Sequence, residues 1–81
     1  MNDLDPKAKL AHMAGQIARF FRPYPEDEAV TSIADHITQF WSRRMRDEFV
    51  AAFNDNDPTL EPRVGKALAQ IRGKLAGGSA T

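Results

Sequence analysis

Two stretches of the sequence decide its fold: LAHMAGQIARFF at residues 10–21 and VTSIADHITQFW at residues 30–41. The second stretch repeats the apolar template of the first 20 residues later, with alanine at the same place and a double aromatic at the same end. At about 100° per residue, this spacing places each apolar set on one helical stripe roughly 120° wide. We therefore predict an antiparallel hairpin of two helices, in which the aromatic pairs close one end of the core. The repeat indicates a shared packing role, and internal duplication is the alternative explanation.

Local signals set the ends of these two helices. Asp5-Pro6 is a capping residue followed by proline at the first helical position. The segment at residues 22–25, Arg-Pro-Tyr-Pro, ends the first helix, because each proline disfavours helical geometry in the residue before it. Pro25 then opens the second helix, and the acidic residues 26–28 lie in its first turn, where the helix dipole favours anions.

A third apolar set lies in residues 43–53. It either continues the second helix or forms a helix of its own. A spacing of four residues runs unbroken from Trp41 through Phe53, which favours continuation, and Ser42 is the only local start signal for a separate helix.

The remaining sequence predicts a loop, one more helix and a tail. NDNDP at residues 54–58 is a turn or loop, and a last helix starts near Pro62. Its narrow apolar stripe is Val64, Leu68, Ile71 and Leu75. No segment alternates like a strand, so we predict an all-α fold, a small bundle of three to four short helices. The expected single domain covers residues 1–76, and residues 77–81 form a disordered tail.

Composition limits the function. The sequence has 11 basic and 11 acidic residues and no cysteine, which argues against nucleic-acid or membrane partners and excludes disulfides and thiolate zinc sites. A folded domain of this size buries only about 60% of the surface of its unfolded chain, so a protein partner is the leading candidate for extra stability. No stretch approaches the roughly 20 apolar residues of a membrane span, and the N-terminus lacks a signal pattern, so we expect a cytoplasmic protein.

Motifs for catalysis or cofactor binding are absent from the sequence. Neither His12 nor His36 has a second metal ligand three or four residues away, and the glycines at 15, 65 and 73 do not form a phosphate-binding loop. We predict no catalytic, metal or cofactor site in this chain.

The segment FWSRRMRDEF at residues 40–49 is the strongest candidate for a binding site. Helical spacing pairs Arg43 with Asp47 and Arg44 with Glu48, whereas Arg46 has no acid four residues away. Arg46 is therefore the best candidate for a carboxylate or phosphate on another element or chain, or it is a solvated residue whose stem covers the apolar stripe. The candidate partner-binding or anion-binding residues are Arg46, Arg44, Arg43, Trp41, Phe40 and Met45.

The same motifs resemble the delta subunit of cytoplasmic, NAD-dependent, molybdenum-containing formate dehydrogenases. That family shows M-A-x-Q-I-A-x-F-F, then I-A-x-H-(I/L)-x-x-F-W-x-P-R-M-R, then an L-x-P start to the final helix. The matching residues are Met13, Ala14, Gln16, Ile17, Ala18, Phe20 and Phe21, then Ile33, Ala34, His36, Phe40, Trp41, Arg44, Met45 and Arg46, then Leu60 and Pro62. Where the family has Asp-Pro after the tryptophan, this sequence has Ser42 and Arg43, and the serine can still cap a new helix.

The resemblance implies an accessory subunit without catalysis or cofactor of its own. Its partner would be the large catalytic subunit, which carries bis-molybdopterin guanine dinucleotide and iron–sulfur clusters, while further subunits bind FMN and use NAD. The implied role is to support assembly or stability of the cofactor-loaded large subunit. The alternative is that the arginine cluster binds a nucleotide, or the pyrophosphate of the molybdenum cofactor, during cofactor insertion.

Overall fold

A computed structural model describes the backbone of residues 5–80 and the side chains of residues 5–75. The helices are α1 (Pro6–Phe20), α2 (Glu26–Phe40), α3 (Arg43–Ala52) and α4 (Pro62–Ala80). The described residues contain no strand, so the predicted all-α bundle is confirmed. The side chains of the predicted tail at 77–81 lie outside the described residues, and its disorder and the boundary at residue 76 stay predictions.

The predicted helix starts are confirmed, and the doubtful boundary after α2 is settled. The Asp5 carboxylate accepts a hydrogen bond from Ala8 N at 2.7 Å, and Pro6 occupies the first turn of α1. Between α2 and α3, Trp41 and Ser42 adopt extended backbone angles, and Ser42 Oγ accepts from Met45 N at 3.1 Å. Ser42 therefore caps a separate helix, and the bundle has four described helices instead of three.

Helices α2 and α4 share the most extensive helix–helix contact and run parallel to each other. Three polar contacts between the helices show this direction, because successively later residues of α4 contact successively later residues of α2. The contacts are Lys66–Glu26, Gln70–Thr31 at 3.4 Å and Lys74–Asp35 at 3.1 Å. Helix α3 and the loop after it return the chain to the start of α2, where α4 begins.

All four helices contribute to one apolar core. Phe49 of α3 is fully buried and contacts the rings of Trp41 and Phe53, with centroid separations of 5.4 Å in both pairs. Trp41 and Met45 are partly buried and pack against this core. The buried core residues are Leu10, Ala14, Ala18, Val30, Ile33, Ala34, Ile37, Phe49, Phe53, Leu60, Val64, Ala67, Leu68 and Ile71.

The prediction that the aromatic pairs close the core is wrong for one member of each pair. Phe20 is 72% exposed and Phe40 is 71% exposed. In α1 the buried residues are Leu10, Ala14 and Ala18, a face turned by roughly 60° from the predicted stripe. Phe40 is the last residue of α2 and is not among the buried residues of that helix. Leu75 of the predicted fourth stripe is also 40% exposed.

Two arginines of α4 bind the carbonyl groups at the ends of other helices. Arg63 Nη1 donates to the carbonyl oxygens of residues 21, 22 and 24, just after α1, at 3.3 to 3.4 Å. Arg72 Nη2 donates to Val50 O at 2.7 Å and to Phe53 O at 2.8 Å, while its Nη1 pairs with Asp55. Since the last carbonyls of a helix lack intrahelical partners, these contacts stabilise the ends of α1 and α3.

We expect Arg72→Lys to destabilise the fold by about 1–3 kcal/mol, because one ammonium group cannot replace the forked donors to Val50, Phe53 and Asp55. Urea unfolding monitored by circular dichroism measures the change. Arg44→Lys is the control, since Arg44 is exposed and its single pair is local to α3. Equal stability of the two variants would contradict the capping role.

We expect Gly65→Ala to destabilise the fold by about 1–3 kcal/mol, although alanine is the better helix former. Gly65 is buried in α4, and an added Cβ would collide with the backbone carbonyl oxygen of Asp55. Gly15→Ala and Gly73→Ala are matched controls, because a Cβ at either position meets no atom within 4 Å. These controls should keep or raise the midpoint of thermal unfolding, and a similar gain from Gly65→Ala would refute the close contact.

The parallel packing of α2 and α4 also predicts an effect on a carboxyl group. The Lys66 ammonium, hydrogen-bonded to Glu26, lowers the pKa of Glu26 below its ordinary value of 4.5. A lowered pKa in the folded state stabilises the fold above the unfolded-state pKa, and this stabilisation is lost as the pH falls through the folded-state pKa. Because the pair is exposed, the effect on overall stability is small.

We expect Lys66→Met to return the pKa of Glu26 toward 4.5, measured by NMR titration of the side-chain carboxyl carbon. Lys74→Met is the control, since Lys74 contacts Asp35 instead of Glu26. A Glu26 pKa that stays the same without Lys66 would show that the two helices are not held in this register.

Candidate functional site

The arginines of FWSRRMRDEF lie on α3, and only one of the two predicted pairs forms. Arg44 Nε lies 3.5 Å from Glu48 Oε2, as predicted. The predicted Arg43–Asp47 pair is absent from the salt bridges of the described residues, because Asp47 contacts Arg46 instead. Arg43 is therefore an exposed cation in the first turn of α3.

Arg46 is more buried than its neighbours. Its side chain is 18% exposed, and its Nε lies 3.6 Å from Asp47 Oδ1. The expectation that Arg46 lacks a partner in its own helix is thus wrong, because the adjacent acid is close enough to form an ion pair. The 3.6 Å separation is too long for a good hydrogen bond, and the buried Nε has no hydrogen-bond partner in the described residues. Two of the three guanidinium groups lie beside a carboxylate of α3, with which an anionic ligand would compete.

A second candidate surface lies between α1 and the C-terminal part of α2. We call it the aromatic groove, and its volume is about 390 Å³. Most of its lining is apolar, and its polar groups are the side chains of Gln16 and His36 and the indole N–H of Trp41. The lining residues are Met13, Gln16, Ile17, Phe20, Phe21, His36 and Trp41.

The predicted binding residues divide between the groove and the core. Trp41 lines the groove with one side and packs on Phe49 with the other. Phe40 borders the groove, because its ring centroid is 4.8 Å from that of His36, a lining residue. Met45 packs against the core and does not line the groove. Trp41 and Phe40 therefore lie beside α1 at the groove, whereas the three arginines lie on α3 and do not line it.

Sequence reasoning missed the half of the surface that α1 contributes. Helical periodicity places Met13 and Phe20 on the predicted core stripe, because both are apolar. Gln16, which lies three residues from Met13 and four from Phe20, was the available signal, since a polar residue between two apolar neighbours on one helical face indicates an exposed edge.

Helix α1 is basic, although the formal net charge of the whole chain is zero. Helix α1 contains Lys7, Lys9 and Arg19 and no acidic residue. Lys9 and Arg19 are exposed, and neither forms a salt bridge with another described residue. Lys9 lies four residues before Met13, so it extends the groove face of the helix toward its N-terminus. Arg19 lies three residues after Gln16, a lining residue, so the edge of the groove formed by α1 carries two basic residues.

The lining of the aromatic groove is suited to hold apolar side chains. No group of three or more histidine, aspartate or glutamate side chains among the described residues is placed to hold a metal ion. The pKa of Asp57 is lowered by hydrogen bonds from Thr59, in the loop before α4 and away from the groove lining. Apolar side chains with a basic border are suited to hold a protein segment.

Helices long and apolar enough to cross a lipid bilayer are absent from the described part of the chain.

Comparison with models of protein families gives a match. The family model described as "NADH-dependant formate dehydrogenase delta subunit FdsD" matches residues 9–68, which is more than half of the 81-residue chain. The matched range includes every lining residue of the aromatic groove and all of α3. Searches of curated proteins and of solved structures gave no significant match. The chain therefore belongs to the family of delta subunits of NADH-dependent formate dehydrogenase.

Proposed function

We propose that this protein is a non-catalytic accessory subunit that docks on the large catalytic subunit of a formate dehydrogenase and stabilises its assembled, cofactor-loaded form. Membership in the delta-subunit family supports a place in such a complex. The observation that carries the docking role is the pair of exposed phenylalanines, Phe20 at 72% and Phe40 at 71%, beside an apolar groove.

Two exposed phenylalanines on a chain this small favour a partner. Fully burying a side chain of this kind contributes about 1.5–3 kcal/mol relative to leaving it exposed. Contiguous exposed apolar surface on a soluble protein commonly marks an interaction site. Aromatic residues and arginine are enriched in the energetically important centres of interfaces, and both residue types occur between Phe40 and Arg46.

A subunit that binds only the assembled state stabilises that state without taking part in chemistry. The gain follows from mass action and amounts to about 2.7 kcal/mol when the free subunit is at 100 times its dissociation constant. Under this proposal the bis-molybdopterin guanine dinucleotide, iron–sulfur clusters and FMN are held by other subunits, which also use NAD. The absence of cysteine from this chain is compatible with that division, since iron–sulfur clusters are held mainly by cysteine thiolates. The proposed location is the cytoplasm.

The alternative function is binding of a nucleotide or of the molybdenum-cofactor pyrophosphate by Arg43, Arg44 and Arg46. Exposed Arg43 in the first turn of α3 favours it, because a helix N-terminus attracts anions. The carboxylates of Glu48 and Asp47 beside Arg44 and Arg46 oppose it. Docking is the better supported function.

We expect the large subunit to co-purify with the tagged chain and to unfold at a higher temperature in its presence, because the chain binds only the folded, assembled partner. Affinity purification from the native cell extract, followed by thermal unfolding of the large subunit with and without the chain, measures both effects. An unrelated tagged helical protein of similar size is the control.

Two results would contradict docking. One is failure of the large subunit to co-purify. The other is tight nucleotide binding by the isolated chain, measured by calorimetry and abolished by Arg43→Ala, which would support the alternative function instead.

A further inference from the structure

We propose that the aromatic groove and the basic face of α1 together bind an acidic segment of the large catalytic subunit, which inserts bulky apolar side chains between Phe20 and Trp41. This inference rests on the proposed function and adds the surface that docks and the chemistry of the segment that it recognises.

The groove is suited to receive apolar side chains. Met13, Ile17 and Phe20 of α1 form one wall, and Trp41 contributes to the other. A volume of about 390 Å³ lies within the range of roughly 300–1,000 Å³ that is typical of binding pockets. Because few polar groups line it, an inserted side chain gains most if it is apolar, and an inserted charge would be left without a partner.

The exposed rings are already positioned by their neighbours. Phe20 packs edge-to-face on Phe21 with ring centroids 5.0 Å apart, and Phe40 lies on His36 at 4.8 Å. Rings that are held before binding lose less conformational freedom when a partner covers them. This packing favours a role as preformed anchors, and such anchors commonly dominate the affinity of an interface.

The basic residues of α1 indicate that the partner segment carries acidic residues beside its inserted apolar side chains. Lys9 and Arg19 are exposed on a helix without acidic residues, and neither forms a salt bridge within the described part of the chain. Carboxylates beside the inserted apolar residues would pair with these two cations and would speed the encounter of the subunits.

The same charges argue against a second copy of this chain as the occupant. In a two-fold symmetric interface the same patch lies on both subunits, so Lys9 and Arg19 of both copies would share one interface, to which α1 contributes no carboxylate. Like charges placed against each other across an interface are unfavourable. An acidic surface on a different protein removes this repulsion.

The first arm of the test measures the affinity of the complete chain for the purified large subunit by biolayer interferometry. We expect Phe20→Ala and Phe40→Ala each to weaken binding at least tenfold. Leu75→Ala is the matched control, because Leu75 is an exposed apolar residue outside the groove, and it should change the affinity less than twofold. Circular dichroism checks that each variant is folded, which we expect because all three side chains are exposed.

The second arm tests the electrostatic part. The double variant Lys9→Glu, Arg19→Glu should weaken binding at least tenfold and should reduce its dependence on salt. The double variant Lys66→Glu, Lys74→Glu is the matched control, because it reverses two exposed cations of α4 that lie outside the groove lining. It should leave the affinity within about threefold of the wild type, and circular dichroism checks its folding.

Each outcome decides between the proposals. Wild-type chain that does not bind the large subunit at any salt concentration overturns both the proposed function and this inference. Wild-type binding that survives Phe20→Ala and Phe40→Ala, or a larger loss from the α4 double variant than from the α1 double variant, overturns this inference alone and places docking elsewhere on the chain. Self-association that competes with the large subunit and is lost in Phe20→Ala also overturns it.

Discussion

Hydrogen bonds from two arginines of α4 to the ends of α1 and α3 are the interaction on which the arrangement of the bundle depends. Arg63 binds carbonyl groups just after α1, and Arg72 binds Val50 O and Phe53 O at the end of α3. Carbonyl groups at and just beyond the end of a helix have no intrahelical partner, and these two arginines supply donors to them. Since both donors belong to one helix that packs on α2, α4 links the ends of α1 and α3 to the same element.

The packing of α1 against the core determines which of its residues line the aromatic groove. Ala14 and Ala18 allow α1 to approach the core closely, and Arg63 holds the segment that follows the helix. With that face buried, Met13 and Phe20 are turned toward the groove, where Trp41 contributes to the opposite wall. The surface proposed for docking is thus a consequence of how the core is packed.

Sequence patterns predicted the helices well, because their signals are local. Asp5 and Ser42 cap the helices that they were expected to start, and helical periodicity identified most of the core. Periodicity fails at Phe20 and Phe40, because an apolar stripe does not reveal which of its edges other elements cover. The pairing of Arg43 was also wrong, since spacing of four residues permits a contact without deciding between competing arginines.

Tertiary features were beyond the reach of the sequence alone. The parallel direction of α2 and α4 depends on the path of the chain through α3, and Arg72 becomes a helix-capping donor only because the end of α3 lies beside it. The basic character of α1 could have been read from residues 6–22, but the balanced charge of the whole chain concealed it.

Hydrogen exchange of the chain, free and bound to the large subunit, tests the location of docking most directly. We expect added protection in residues 13–21 and 36–41, the two segments that line the aromatic groove, and little change in the exposed face of α3. Protection confined to residues 43–49, with unchanged exchange along α1, would contradict the account and would return the arginine segment to the centre of the interface.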